Sequence, residues 1–368
     1  MNATRADDLR QRIVRVVESQ SAVSDDACVV RVELPDQGVV VRHAAGGIVR
    51  GQARAHPLSS FRIASITKPF TAAVVMQLVA EGRLGLDDAM IDHLPADLHD
   101  VVDRVHVIDG VSYGRRITVR QMLTHASGLF DFAQSAGFFT AIAADPGRHW
   151  SPREMLEGAG VWGAAHFPPG EGYGYAYSDT GYVFLGCIIE GLDAGPLHES
   201  YRRRIIGPLG LAATYLEGYE EHRGEPMIHP HQGDLDASVI DGSADWAGGG
   251  LVSDTDDLAV FARALIDGTL VPQPLLDEML DYRFRTLDPD LHTPGYVGYG
   301  CGVDARESSG LVLRGHRGYW GALMHIDPVS GLTITGTISQ AERRPDELMH
   351  AVVAAARDTF PESFEVPA

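Results

Sequence analysis

The sequence predicts an α/β protein of the α+β type, with an antiparallel sheet flanked by N- and C-terminal helices and a large, mainly helical insertion. Both ends of the chain combine one helical pattern with short β-rich segments, and the middle is mainly helical. The hydrophobic fraction of 45% over 368 residues is that of a folded globular protein. We therefore expect a sheet domain from residues 1–83 and 296–368, a mainly helical domain from residues 84–295, and the functional site between them.

The N-terminal part predicts a helix followed by a β-hairpin. Apolar residues recur at helical spacing over about residues 4–19, which indicates an amphipathic helix. Two valine-rich stretches, 27–33 and 38–43, lie on either side of Pro35-Asp36-Gln37-Gly38, a sequence typical of a short turn between paired strands.

The remainder predicts helices and loops and then a return to strands. Between residues 84 and 294 we expect a capped helix at 118–123, a loop at 168–172, a buried helix at 180–191, a tight loop at 248–250 and a helix at 254–267. Either Ser253 or Thr255 is expected to cap the last of these helices. After Pro294, strands are predicted at 296–303, 310–315, 322–326 and 332–339, with a closing helix at 345–360.

The segment that begins at Phe61 contains Ser65-x-x-Lys68 and leads into a long apolar run. Such a run predicts a helix that is buried on all sides. Because Pro69 is tolerated only in a first helical turn, the helix is expected to begin near Ser65, and Gly82 is expected to stop it. Ser65 and Lys68 are three residues apart and would therefore share one face.

This pairing has chemical consequences. A serine hydroxyl becomes a good nucleophile when a nearby base takes its proton. A lysine in an apolar site loses solvation, which frees some neutral amine, and a helix N-terminus offers N–H groups to an oxyanion. The pair Ser65-x-x-Lys68 is short, however, and needs support from the rest of the chain.

Support comes from five short segments in a characteristic order. They are Phe61–Lys68, Leu123–Leu129, Phe167–Gly170 with Tyr177–Tyr182, Gly249–Ser253 and Gly315–Gly318. In this order they resemble the serine β-lactamase and penicillin-binding protein superfamily, in particular its class C β-lactamase, D-alanyl-D-alanine carboxypeptidase and esterase branch. The resemblance covers about residues 61–340 and implies a β-lactamase/transpeptidase-like fold and an enzyme that needs no cofactor.

The resemblance implies roles for three catalytic residues. Ser65 would be the acylated nucleophile, Lys68 its hydrogen-bonded proton acceptor, and Tyr177 the tyrosine of the Tyr-x-Asn motif. Beside a protonated Lys68 a phenolate is favoured, so we expect Tyr177 to take the Ser65 proton and later to protonate the leaving group. Without the resemblance, Tyr177 would be interpreted as a core aromatic residue.

The resemblance also implies substrate-binding residues. His316-Arg317-Gly318 matches the third motif, usually Lys-Thr-Gly, and His316 would bond within the site or face a substrate anion, unless it is a surface histidine. Gly318 would allow close backbone approach, and the N–H of Tyr319 would complete an oxyanion hole with that of Ser65. Asp179 stands where the family usually has Asn, so it either tunes the site or caps a helix and points away.

Composition excludes several other functions. A net charge of −20 argues against nucleic acid and anionic membranes as partners, and no apolar run is long enough to span a bilayer. The three cysteines are far apart, His229-Pro230-His231 is expected to be a loop with two solvated histidines, and no metal is expected. His125 is interpreted as structural. The charged N-terminus resembles no secretory signal, so a cytoplasmic location is expected.

We interpret the chain as a serine hydrolase that forms an acyl-enzyme on Ser65, most simply an esterase or amidase of a small acyl compound. Asp179 and His316, which depart from the family pattern, favour this interpretation. The alternatives are a D-amino-acid amidase, D-aminopeptidase or β-lactamase, an acyltransferase, and a catalytically silent relative that serves as a binding or scaffold protein.

Overall fold

A computed structural model of the chain describes residues 2–23, 25–170, 174–282, 295–341, 343 and 345–365. The helices are α1 Asn2–Ser21, α2 Thr67–Ala80, α3 His99–Val105, α4 Val119–Leu123, α5 Ala136–Ala144, α6 Pro152–Trp162, α7 Asp179–Asp193, α8 Leu197–Tyr201, α9 Gly207–Leu209, α10 Trp246–Gly249, α11 Thr255–Ile266, α12 Gln273–Met279 and α13 Asp346–Thr359. The strands are β1 Cys28–Leu34, β2 Val39–Ala45, β3 Phe61–Arg62, β4 Val107–Ile108, β5 Val111–Ser112, β6 Tyr215–Leu216, β7 His231–Gln232, β8 Leu235–Asp236, β9 Leu251–Ser253, β10 Tyr296–Tyr299, β11 Asp304–Ser308, β12 Leu311–Arg317, β13 Ala322–Ile326 and β14 Thr333–Thr337.

The main sheet joins the two ends of the chain. Its strand order is β10-β11-β12-β13-β14-β1-β2, and every neighbouring pair is antiparallel. Val30 of the N-terminal hairpin faces Gly336 on one side and His43 on the other. The N-terminal hairpin therefore extends a sheet whose other strands all lie near the C-terminus, which confirms the predicted antiparallel architecture.

The two faces of the sheet carry different helices because side chains alternate along each strand. Val30 and Val32 of β1 pack with α1 and α13, which form one outer layer. Val29 points to the opposite face and belongs to the larger core that contains α2, α7 and α11. The terminal helices thus cover one face of the sheet, as predicted, and the inserted helices cover the other.

Helix α2 is buried along almost its whole length, as its apolar sequence predicts. Residues 64–66 form a 3-10 turn before it, so Ser65 lies immediately ahead of the α-helix and Pro69 falls within the first turn. After Glu81, Gly82 adopts a left-handed conformation with φ of 70° and its N–H donates to the carbonyl of Val79. The helix stops where its glycine predicts.

Three local predictions are wrong. The strand β11 was not predicted because its sequence, Asp304 to Ser308, is mostly polar, yet four of its five residues are buried. Residues 246–249 form the short helix α10 where a tight loop at 248–250 was expected. The cap of α11 is Asp254, whose carboxylate accepts from the N–H groups of Asp256 and Asp257, and not Ser253 or Thr255.

Other predictions have different outcomes. Thr118 caps α4 in a capping box with Gln121, as predicted. Residues 171 and 172 of the predicted loop lie outside the described residues. The division into a sheet domain and a helical domain stays a prediction.

Within the described ranges, no helix has the length and apolar composition required to cross a bilayer.

Candidate active site

The predicted site residues come together at a cleft of about 1080 Å³. Its wall includes Ser65, Tyr177, Asp179, His316, Gly318 and Tyr319. Lys68 is fully buried beneath this wall, and its Nζ atom lies 3.1 Å from the Ser65 hydroxyl. Residues from distant parts of the sequence therefore border one cavity.

Two strands fix the position of Ser65. Strand β3 pairs with β9. The next residue after β3, Ile63, continues this pairing, because its N–H donates to the Leu251 carbonyl over 3.0 Å. In return the Leu251 N–H donates to the Thr67 hydroxyl over 3.1 Å. Between these anchors Ala64 has a φ of 46°, an uncommon value for a residue with a Cβ. The chain thus turns sharply before α2 and places Ser65 at the wall of the cleft.

Lys68 has three acceptors around its Nζ atom. These are the Ser65 hydroxyl, the Asp179 carboxylate and the Gly248 carbonyl, the last at 2.9 Å. An ammonium group has three N–H donors, so the geometry accommodates a protonated lysine with every donor used. The contact with Asp179 is a buried ion pair that provides the charge partner a buried ammonium needs.

Asp179 faces Lys68 and does not cap its helix. It is the first residue of α7, and its side chain is 15% exposed. The alternative in which this residue points away as an N-cap is therefore wrong. Gly248 leaves the space that the Asp179 side chain occupies, because a Cβ at that position would lie 2.7 Å from the Asp179 carboxylate. A larger residue at 248 would displace Asp179 from Lys68.

Tyr177 lies between the lysine and a set of aromatic rings. Its ring centroid is 4.8 Å from Lys68 Nζ and 4.1 Å from the His125 ring. Burial and the Asp179 charge raise the pKa of Tyr177 well above its ordinary value, although a hydrogen bond with Ser65 opposes the shift. The prediction that Lys68 favours a resting phenolate is therefore wrong, and the resting form is the phenol.

His125 supports Tyr177 from inside the protein. It is 1% exposed, and its Nδ1 atom accepts from the Ser178 N–H over 3.1 Å. Burial and the Lys68 charge lower the pKa of His125 well below its ordinary value, so the ring is neutral. A neutral ring that accepts at Nδ1 carries its proton on Nε2. This residue packs behind the site, in agreement with a structural role.

His316 is buried and held by a second tyrosine that the sequence did not identify. Its Nδ1 atom lies 2.6 Å from the Arg317 carbonyl, and its Nε2 atom lies 2.9 Å from the Tyr299 hydroxyl. A carbonyl only accepts, so Nδ1 carries the proton and the Tyr299 hydroxyl donates to Nε2. Burial lowers the pKa of His316 to about 3, which keeps the ring neutral. The alternative of a surface histidine is wrong.

Two further acids lie near the Lys68–Asp179 pair, and the sequence did not identify them either. Asp131 accepts from the Asp179 N–H over 3.2 Å, and burial together with the Asp179 charge raises its pKa well above the ordinary value. Asp245 lines the cleft, and burial raises its pKa to about 6, with a contribution from Asp179. Three carboxyl groups, those of Asp131, Asp179 and Asp245, therefore lie near Lys68, although a single carboxylate is enough to balance one ammonium charge.

Gly318 and Tyr319 border the cleft on the side of β12. A Cβ on Gly318 would lie 2.2 Å from the Ile63 carbonyl oxygen, so only glycine fits against the segment that carries Ser65. Tyr319 is 46% exposed and packs edge-on against Trp320, with ring centroids 4.9 Å apart. The oxyanion hole formed by Ser65 and Tyr319 stays a prediction.

The histidines of His229-Pro230-His231 differ from expectation. His229 is partly exposed and contacts Asp236, but His231 is 5% exposed and forms part of strand β7. The prediction of two solvated histidines is therefore wrong for His231, because this segment is paired with β8. In the part of the chain that the structure describes, no group of three or more His, Cys, Asp or Glu side chains is placed to hold a metal ion.

Comparison with protein families adds an independent finding. The profile of the family described as Beta-lactamase matches residues 17–358. An uncharacterized protein of Mycobacterium tuberculosis is 30% identical over 282 residues, which are 66% of this chain and 65% of that protein. Penicillin-binding protein 4 of Amycolatopsis lactamdurans is 28% identical over 245 residues, which are 62% of this chain and 57% of that protein. The chain matches less than two thirds of the length of both relatives.

A solved structure matches over nearly the full length. The D-stereospecific amidohydrolase from Streptomyces sp. superposes with a TM-score of 0.78 and 28% sequence identity. The match covers 94% of this chain and 98% of that enzyme. The similarity therefore extends over both the sheet and the inserted helices.

Proposed function

The chain belongs to the β-lactamase family, and on this premise we propose that it is a serine hydrolase that forms an acyl-enzyme on Ser65 from a small ester or amide. One observation carries the proposal: the Ser65 hydroxyl lies at the cleft, 3.1 Å from the Nζ atom of the buried Lys68. A nucleophile within hydrogen-bond reach of a group that can exchange its proton, with that group held by a third residue, is the arrangement that covalent catalysis requires.

In the proposed acylation step, Ser65 Oγ attacks the substrate carbonyl carbon while its proton moves to Lys68, and Lys68 in turn passes a proton to the Asp179 carboxylate. The leaving group receives a proton from the group formed by Lys68, Tyr177 and Asp179 as its bond to the carbonyl carbon breaks. Since Tyr177 rests as a phenol, its role is to pass protons and not to store negative charge. Water then attacks the acyl carbon, the bond to Ser65 Oγ breaks, and the acyl group leaves as a carboxylic acid while Ser65 Oγ regains its proton.

The third motif supports esters or amides over β-lactams. A lysine at this position would offer a positive charge to a substrate carboxylate, but His316 is neutral and both of its nitrogens have partners. The neighbouring Arg317 is paired with Asp346 over 2.7 Å. This motif therefore supplies little free positive charge to the cleft.

A second candidate within this class is the hydrolysis of amino-acid amides. The carboxyl group of Asp245 lines the cleft and, when ionised, would favour a substrate ammonium group. The 28% identity to a D-stereospecific amidohydrolase supports the same candidate. Parallel assays with a D-amino-acid amide, its L-enantiomer and p-nitrophenyl acetate would separate it from a simple esterase.

Active-site labelling tests the proposal. A fluorophosphonate probe is expected to add one adduct to the intact protein, and peptide mapping is expected to place it on Ser65, because Lys68 activates that hydroxyl. Ser65→Ala should abolish labelling, whereas Ser60→Ala, at a buried serine outside the cleft wall, should retain it. Absence of labelling and of hydrolysis would instead support the catalytically silent relative.

The contact between Tyr299 and His316 gives a second prediction. Tyr299→Phe removes the hydroxyl that donates to His316 Nε2 and leaves a buried acceptor without its partner. We expect kcat/KM to fall by about fivefold to thirtyfold, the equivalent of roughly 1–2 kcal/mol for a lost buried hydrogen bond. Steady-state kinetics with Tyr113→Phe as the distant control checks this. Equal effects in both variants would contradict a role for Tyr299 in holding His316.

We also propose a cytoplasmic location. Cys28, Cys187 and Cys301, all within the described residues, are buried and form no disulfide, which suits a reducing compartment. Recovery of the protein in a secreted or periplasmic fraction of its native cells would contradict this.

A further inference from the structure

One wall of the cleft carries large apolar side chains that face solvent. Phe139, Leu235 and Val239 are 45%, 57% and 57% exposed, and all three line the cavity. They are joined there by less exposed apolar residues. We call the following set the apolar wall: Phe138, Phe139, Ile142, Leu235, Val239 and Ile240. Apolar side chains gathered in one concave site indicate a surface that a ligand covers.

The first part of the apolar wall is helix α5. Ser135 caps this helix by accepting from the Phe138 N–H over 3.0 Å. Phe138 packs edge-on against Phe132 and Trp150, with ring centroids 5.1 Å and 5.3 Å away. The helix is therefore anchored from behind, while Phe139 stays exposed on the cleft side.

The second part is the segment from Leu235 to Ile240, and a buried arginine fixes it to the nucleophile. Arg62 donates to the carbonyls of Ala237 and Ile240 over 2.8 Å and 2.6 Å. The same guanidinium forms a two-point contact with Glu217 at 2.7 Å and 2.9 Å. Arg62 precedes Ser65 by three residues, so this part of the wall has a defined position relative to the reacting hydroxyl.

The contacts of the wall favour a position on the acyl side of the reaction. Ile240 packs against the small cluster of Ala64, Ala237 and Trp320, and Ala64 directly precedes the nucleophile. The leaving group, in contrast, must lie beside the proton donor Tyr177, whose ring neighbours include Tyr299 and His316. On this arrangement, a group that contacts the wall would be attached to the carbonyl carbon that becomes bound to Ser65.

We propose that the apolar wall is a preformed subsite for a bulky apolar acyl group, an aliphatic chain of about six or more carbons. This inference rests on the proposed function and specifies its substrate class. The cleft volume of about 1080 Å³ exceeds the ~300–1,000 Å³ of ordinary small-ligand pockets and leaves room for such a group. Covering the wall would remove its exposed apolar surface from water.

A series of p-nitrophenyl esters tests the inference, because the leaving group stays constant while the acyl chain grows from acetate to butyrate, hexanoate and octanoate. We expect kcat/KM to rise by about two- to fourfold for each methylene that contacts the wall. In Phe139→Ser and Val239→Ser, the ratio of octanoate to acetate kcat/KM is expected to fall by about tenfold. Val161→Ser, at a 79% exposed valine outside the cleft wall, should leave that ratio unchanged.

The outcomes separate this inference from the proposed function. Ser65-dependent hydrolysis of acetate with no increase along the series would overturn the acyl subsite alone. An unchanged ratio in the two wall variants would overturn it as well. If Ser65→Ala matches wild type on every ester, the proposed function itself fails.

Discussion

Replacing Lys68 by methionine is expected to lower kcat/KM by about 10²–10⁴-fold, and Tyr177→Phe is expected to cost a similar factor. Methionine keeps much of the lysine volume and removes the amine that lies 3.1 Å from Ser65 Oγ. Phenylalanine keeps the ring that packs on His125 and removes only the hydroxyl. Each variant therefore interrupts proton transfer with little change in packing.

The double variant is the decisive measurement. Residues that act as one unit give losses that do not add in free energy, so Lys68→Met with Tyr177→Phe should be little worse than either single variant. Tyr182→Phe is the matched control, because its ring is 5.3 Å from Lys68 Nζ but its hydroxyl donates to the Leu123 carbonyl. We expect the control to cost less than about tenfold, the equivalent of one ordinary hydrogen bond.

A different pattern would exclude the shared proton-transfer group. If the two single losses multiply in the double variant, Lys68 and Tyr177 act independently. If Tyr182→Phe costs as much as Tyr177→Phe, the effects come from disturbed packing around Lys68 and not from proton transfer. Circular dichroism on all variants would confirm that each retains the native fold.

The parts of the site that could be predicted are those in which short sequence spacing determines geometry. Ser65 and Lys68 are three residues apart at the start of one helix, so their contact follows from helix geometry. Pro69 and Gly82 mark the two ends of that helix by backbone preference alone. The other site residues could be predicted only from the order of the five segments, because no local sequence pattern places Tyr177 or His316 beside Ser65.

The parts that could not be predicted depend on long-range burial. The expectation of a Tyr177 phenolate considered the charge of Lys68 but not the burial of the hydroxyl or the nearby carboxylate of Asp179. Strand β11 appeared too polar for a buried strand, yet Asp304 is buried with a bond to Arg306 at 2.9 Å and to His325 at 2.8 Å. Arg306 belongs to the same strand, but His325 arrives from β13, and a contact with another strand is not visible in the segment itself.

Asp179→Ala is expected to lower the free energy of unfolding by about 3–5 kcal/mol, because it leaves the fully buried Lys68 ammonium without its charge partner. Asp179→Asn should cost less, since the amide oxygen still accepts from Lys68. Urea denaturation at pH 7 measures both. The informative control is Lys68→Met combined with Asp179→Ala, which removes both charges and should recover most of the stability lost in Asp179→Ala.

The asparagine variant also tests how Asp179 sets substrate preference. An ionised carboxylate only accepts hydrogen bonds, whereas an asparagine can accept from Lys68 and donate an N–H to a substrate amide carbonyl. We therefore expect Asp179→Asn to raise the ratio of amide to ester kcat/KM by about tenfold. An unchanged substrate ratio would mean that Asp179 only balances the charge of Lys68 and takes no part in selecting the substrate.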